Sequence, residues 1–250
     1  MAFSIAGHLG GGSPVVIPKM QVGANVYQGQ ILIADYTVSG EVIPSAVAVA
    51  GPDITQKVIG ICTGVVTDPA YDSTYKGDMC TYDVTQATLT ANDPVGPACV
   101  EVTRILPNTL IKAPLVKDTI GTAPESKACT TGSADGLTFV IAAIDSTTSL
   151  FSTAYCRKGA NRGEYRVITT GATETQTMVI PFQNDIAIGD EFTVVNVRRG
   201  FAHIDWDSQF QGVDTSTALS YHFKAFVHEI NLEEAGKEYI VFTLDPSHLL

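Results

Sequence analysis

The residues able to do chemistry are few, and the tightest grouping is Asp205-Trp206-Asp207-Ser208-Gln209-Phe210-Gln211-Gly212. Two carboxylates in Asp-x-Asp spacing open a calcium loop, where hard oxygen ligands alternate along a turn. Here the third ligand position is Gln, the glycine comes two places late, and no glutamate closes the site. This loop is therefore expected to hold no metal. Trp206 suggests one other chemistry, a stacking platform for a sugar, which competes with its commoner use in a core.

The five histidines (His8, His203, His222, His228, His248) show neither His-x-His nor His-Glu-x-x-His spacing. His228-Glu229 on a strand would point to opposite faces, poor geometry for a dyad. The five cysteines (Cys62, Cys80, Cys99, Cys129, Cys156) are odd in number and never form Cys-x-x-Cys, so neither a zinc site nor a disulfide framework is expected. Buried free thiols made in a reducing compartment are the expectation. No nucleophile elbow, Walker loop or dinucleotide fingerprint occurs, and Gly10-Gly11-Gly12 lacks the lysine and helix that would cradle phosphate. The chain reads as a non-enzyme that needs no cofactor.

The elements that would carry these residues read as β throughout. Val58–Asp83 sets two apolar runs around a polar loop, the return run opening with Lys76-Gly77-Asp78. A looser version recurs at Phe139–Thr169 and at Phe223–Leu244, which reads as one strand–loop–strand unit used again. Glycine-led strand entries stand at Gly29-Gln30-Ile31-Leu32 and at Gly189-Asp190-Glu191-Phe192, and Phe201–Trp206 alternates with period two. Ala46–Ala50 and Thr85–Thr90 look like further β segments, with short turns of helix around Ser216–Tyr221. Thr119–Asp135, rich in Thr, Ser, Gly and Ala, reads as a linker or long surface loop. Ser146–Asn161, with Phe151, Tyr155 and Cys156, reads as a long contact loop or lid.

The expected fold is all-β: two small antiparallel β-barrel or sandwich domains with an extended N-terminal arm. The arm covers residues 1–20, the first domain 21–112 and the second 113–250, with the boundary where the pattern weakens near Pro107–Pro114. Glycine and proline at Gly10–Pro14 oppose regular structure in the arm, yet Phe3, Ile5, Leu9, Val15, Val16 and Ile17 are apolar. That combination suits docking on a partner by strand addition, and these six are the expected partner-binding residues.

Composition narrows the function. Charged residues make up only 16% of the 250 and the formal net charge is -11. Such a balance repels nucleic acid and anionic membrane, and Arg198-Arg199 is too small a basic patch to reverse it. The start lacks a basic n-region and no run reaches the roughly 20 apolar residues a membrane helix needs, so a soluble protein is expected.

The pattern of Val22–Asp83 resembles the small β-barrel decoration, or cement, proteins of tailed-phage capsids. The resemblance rests on Val26-Tyr27-Gln28-Gly29-Gln30-Ile31-Leu32, Gly40-Glu41-Val42-Ile43-Pro44, Val58-Ile59-Gly60-Ile61 and Gly77-Asp78-Met79-Cys80-Thr81-Tyr82. Gly189–Phe192 and Gly236-Lys237-Glu238-Tyr239 echo it in the final third. It covers about half the chain and implies a virion structural protein, made in the host cytoplasm. Such a protein binds the outside of an assembled shell, clamps neighbouring major capsid subunits and catalyses nothing. The chain is longer than one such module, so a tandem or elaborated form is implied, shell-bound or homo-oligomeric. A receptor- or carbohydrate-binding β module of a head fibre, neck or tail is the alternative.

Overall fold

The computed structural model describes residues 2–22, 26–34, 41–44, 57–66, 75–76, 79–80, 99–117, 124, 126–142, 152–172, 174–207, 212–214 and 223–250. The described residues are almost all β and include no α-helix. The chain forms two compact units. The first includes Met1–Lys112 and Thr243–Leu250; the second includes Ala113–Asp207 and Gly212–Phe242.

In the first unit the strands are β1 (Ser4–His8), β2 (Val16–Val22), β3 (Val26–Tyr27), β4 (Ile31–Ala34), β5 (Glu41–Pro44), β6 (Val58–Val66), β7 (Tyr75–Lys76), β8 (Met79–Cys80) and β9 (Cys99–Arg104). Five of them close a barrel in the order β2-β5-β4-β6-β9. β2 and β5 run parallel, and every other pair in the ring is antiparallel. Leu32, Ile59, Cys62, Val100 and Val102 fill the interior, with Ile17 and Met20 packed beside them. Gly60 lies where β6 and β9 approach: a Cβ there would stand 2.3 Å from the Thr103 carbonyl oxygen, so only glycine fits. β3, β8 and β7 form a separate small sheet.

β10 (Thr109–Lys117) begins in the first unit, where its residues pair antiparallel with β1, Ser4 opposite Lys112 and His8 opposite Thr109. The last residues return to the first unit as well. Asp245 caps a short 3-10 turn at Pro246–His248, Leu249 bridges to Val58, and the Leu250 N–H donates to the Val58 carbonyl over 3.1 Å. Arg104 donates to the Leu250 carbonyl at 2.8 Å.

In the second unit, β11 (Lys127–Thr131), β12 (Thr138–Ile141), β13 (Thr153–Lys158), β14 (Tyr165–Ala172), β15 (Thr175–Met178) and β16 (Glu191–Val195) close another barrel in the order β11-β12-β15-β14-β13-β16. All its pairs are antiparallel. Its core stacks Phe139 on Phe192 with ring centroids 4.2 Å apart, and Phe182 leans on Phe192 at 5.5 Å. Gly189, at φ 91°, makes the turn that admits the chain to β16, a conformation open to glycine at little cost.

The remaining strands are β17 (Gly200–Asp207), β18 (Gly212–Asp214), β19 (Phe223–Asn231) and β20 (Tyr239–Leu244). They continue from β10 in the order β10-β18-β17-β19-β20, and β20 pairs back to β10. β10 and β18 run parallel, while β18–β17 and β17–β19 are antiparallel. This is the strand order of the first barrel. β10, β17, β18, β19 and β20 stand where β2, β4, β5, β6 and β9 stand, with the six-stranded barrel inserted after the first strand. The same strand order is used twice, interrupted once.

The all-β class is as expected, and several finer expectations change. Among the described residues, β6 pairs with β4 and β9, while β8, in the return run at Met79, pairs with β3 and β7. Of the three expected strand–loop–strand copies, β6 and β19 hold equivalent places in their rings, but β20 corresponds to β9 rather than to the run at Met79, and Phe139–Thr169 belongs to the inserted barrel. The expected linker at Thr119–Asp135 contains β11, in which Cys129 alone is fully buried. The expected lid at Ser146–Asn161 contains β13, with Tyr155 and Cys156 buried. Asp205 and Asp207 lie within β17 rather than in a loop. Ala46–Ala50, Thr85–Thr90, Phe151 and Ser216–Tyr221 lie outside the described residues.

Candidate functional site

The six apolar residues of the N-terminal segment separate into two groups. Phe3 is buried against its own chain, Ile5 is half-buried opposite Ile111, and Ile17 packs beside the first barrel's core. Their apolar surface is spent internally, because β1 has a strand of its own chain to lie on. Leu9, Val15 and Val16 remain exposed, the two valines at 44% and 45%. Between β1 and β2 the chain runs through Gly10, Gly11 and Gly12, all with positive φ and nothing near their Cβ positions. His8 joins β1 to the start of β10: its Nδ1 lies 3.2 Å from the Thr109 hydroxyl.

The geometry of β2 differs from that of its counterpart β10. The Arg104 N–H donates to the Val15 carbonyl, so the backbone groups of Val15 face β9. Those of the next residue, Val16, face the other edge, since successive residues of a strand bond to opposite sides. On that edge the described residues of β2 and β5 pair at Gln21 and Val22.

Cys62, Cys129 and Cys156 are free and buried. Burial, with Asp190 adding a further push, raises the Cys156 thiol to about 11, and burial likewise raises Cys129. A raised pKa lowers the thiolate fraction of Cys129 and Cys156 at neutral pH and so weakens them as nucleophiles. Side chains of Cys80, Cys99, His203, His222, Asp205, Trp206 and Asp207 lie outside the described part of the structure. Among the described residues no group of His, Cys, Asp and Glu could hold a metal ion.

Within the second unit, buried polar groups tie the inserted barrel to the ring that carries it. Arg157 on β13 pairs with Glu238, just before β20, and its Nε donates to the Thr193 hydroxyl at 2.7 Å. The Leu232 N–H, after β19, donates to the Tyr165 hydroxyl at 3.0 Å. Burial raises the pKa of that hydroxyl, which keeps it neutral. Such positioned, satisfied polar groups do structural work. One surface feature stands out: Phe201 is 81% exposed and meets Phe226 edge-to-face at 5.2 Å, with the His228 ring 5.0 Å beyond. Sequence alternation placed these aromatics on strands but could not say that they share the outer face.

No family model, curated protein or solved structure matches this chain.

Proposed function

We propose that this chain is a virion structural protein that binds the outer surface of an assembled phage capsid and stabilises contacts between its subunits. The observation that carries the reading is the repeated five-stranded ring, β2-β5-β4-β6-β9 and β10-β18-β17-β19-β20. The resemblance of Val22–Asp83 to capsid decoration modules implies a tandem form, and a doubled ring is what a tandem form would contain. Buried thiols with raised pKa values and polar groups spent on tying barrels together fit a protein that assembles rather than reacts. Exposed Leu9, Val15, Val16 and Phe201 supply apolar contact surface, and large exposed apolar groups commonly mark interfaces. The test is cosedimentation with isolated, expanded capsid shells. Retention on shells at a fixed stoichiometry supports the reading, and failure to cosediment at micromolar concentration rejects it.

The Phe201–Phe226 pair favours a second reading, a receptor- or carbohydrate-binding module of a fibre, neck or tail, because exposed aromatic rings stack on sugar faces. A glycan that binds the protein and loses binding on Phe201→Ala would put this reading first.

A further inference from the structure

The described bonds that fasten β1 lie within the first unit, at the start of β10. Ser4, Ile5, Gly7 and His8 pair with Lys112, Ile111, Leu110 and Thr109. The Leu9 N–H donates to the Asn108 carbonyl at 2.8 Å, and the Asn108 amide donates to the Leu9 carbonyl at 3.2 Å. Phe3 is buried, so a ring anchors β1 as well as a ladder. The connector that follows is of another kind. Residues 9–16 are all exposed. Gly10 and Gly11 turn the chain at φ 78° and 81°, and the Gly11 N–H donates to the His8 carbonyl at 3.1 Å. A Cβ added at Gly10, Gly11 or Gly12 would meet nothing within 4 Å.

We infer that β1 is an exchangeable arm: two copies of this chain swap it through the glycine hinge, each β1 seated on the β10 of the other copy. The occupant is set by self-complementarity. A β10 that loses its own β1 uncovers the edge that Ser4–His8 had paired, and a second β1 restores the same ladder with the same side chains. A β1 set loose bares Phe3, so release without recapture is unfavourable. The difference between the closed and swapped forms therefore falls on the connector. Opening its turn gives up the Gly11–His8 bond and returns freedom to glycines, the residues that lose most backbone entropy on being fixed. Extended, residues 10–15 span about 20 Å, enough for β1 to cross to a neighbour. A short flexible connector holds its strand at an effective concentration on the order of mM, and exchange sets in as the chain approaches that concentration. The inference is independent of shell binding, since both partners are copies of one chain in solution.

The test uses two single variants of the full chain, Ser4→Cys and Lys112→Cys, at positions directly opposite in the ladder, where Cα separations suit a disulfide. They are mixed at about 1 mM, the range in which exchange is expected, and then oxidised. The expected product is a cross-linked heterodimer at about tenfold or more the level of dimer that either variant forms alone, because only a swapped β1 brings the two thiols into disulfide geometry. A second measurement needs no cross-link. Gly10→Pro/Gly11→Pro fixes φ near about −65° at both positions, which the closing turn does not accept, and removes the Gly11 donor. Such a chain seats β1 only on another copy, so light scattering at dilution should read twice the mass of the wild type. A heterodimer no more abundant than the single-variant controls overturns the inference. So does a proline variant that keeps the mass of the wild type.

Discussion

Removing the Glu238 carboxylate is the sharpest test of how the second unit holds together. Its side chain is 2% exposed, and its partner Arg157 is 10% exposed. Glu238→Ala leaves a buried guanidinium whose remaining described bond is to the Thr193 hydroxyl. Breaking a buried pair from one side costs about 3–5 kcal/mol, because the surviving charge stays desolvated. At about 2–4 °C per kcal/mol for a chain of this size, the melting temperature should fall by about 6–20 °C. The double variant Arg157→Met/Glu238→Leu removes both charges and keeps similar volume, so it should recover to within about 1–2 kcal/mol of the wild type. Urea denaturation of the wild type, both single variants and the double variant measures the coupling. A loss below about 1 kcal/mol for Glu238→Ala would place the pair among surface salt bridges and refute the reasoning.

Phe3→Ala should destabilise the first unit by about 3–5 kcal/mol, since the ring is buried against its own chain; thermal unfolding followed by near-UV dichroism would read it. Gly132→Ala should prevent the inserted barrel from closing, because its Cβ would sit 1.9 Å from the Ile186 carbonyl oxygen; loss of the native 15N spectrum checks this. In alkali the unfolded thiol ionises from about 9 while folded Cys156 keeps its proton to about 11. Across that window the native state binds more protons, so stability should fall as pH rises, and Cys156→Ser should flatten the slope in denaturation series. In the native protein at pH 8 the three described thiols should resist a disulfide reagent that labels them promptly in denaturant.

Reading the residues found strands best where burial alternates strongly. β19 repeats buried and exposed positions from Phe223 to Val227, and period two is visible there without a structure. β11 and β13 escaped notice for opposite reasons. Lys127–Thr131 buries only Cys129 and looks like a loop, whereas Thr153–Cys156 is buried on both faces and has no alternation to detect. The repeated ring was hidden because equivalent strands share position and not residues: Val58–Val66 is rich in valine and glycine, and Phe223–Asn231 in aromatics and charge. Parallel pairing of β2 with β5, or of β10 with β18, joins segments that no local pattern relates. In the N-terminal segment, the apolar residue types were evident. Which of them face inward depends on β10, about a hundred positions away.

The return of residues 243–250 to the first unit sets a clock on biosynthesis. Lys57 donates to the Ser247 carbonyl across 190 positions, and Leu250 bonds to Val58 across a similar span. A ribosome therefore completes every residue of the second unit before the first can make its last bonds. At synthesis rates of about 5–20 residues per second, the edge of β6 at Val58 waits on the order of ten seconds or more for its partner. During that interval a nascent chain is recognisable by an open first unit, and one stopped short of Thr243 stays so. Closure of the first unit thus reports that residues 243–250 have been made.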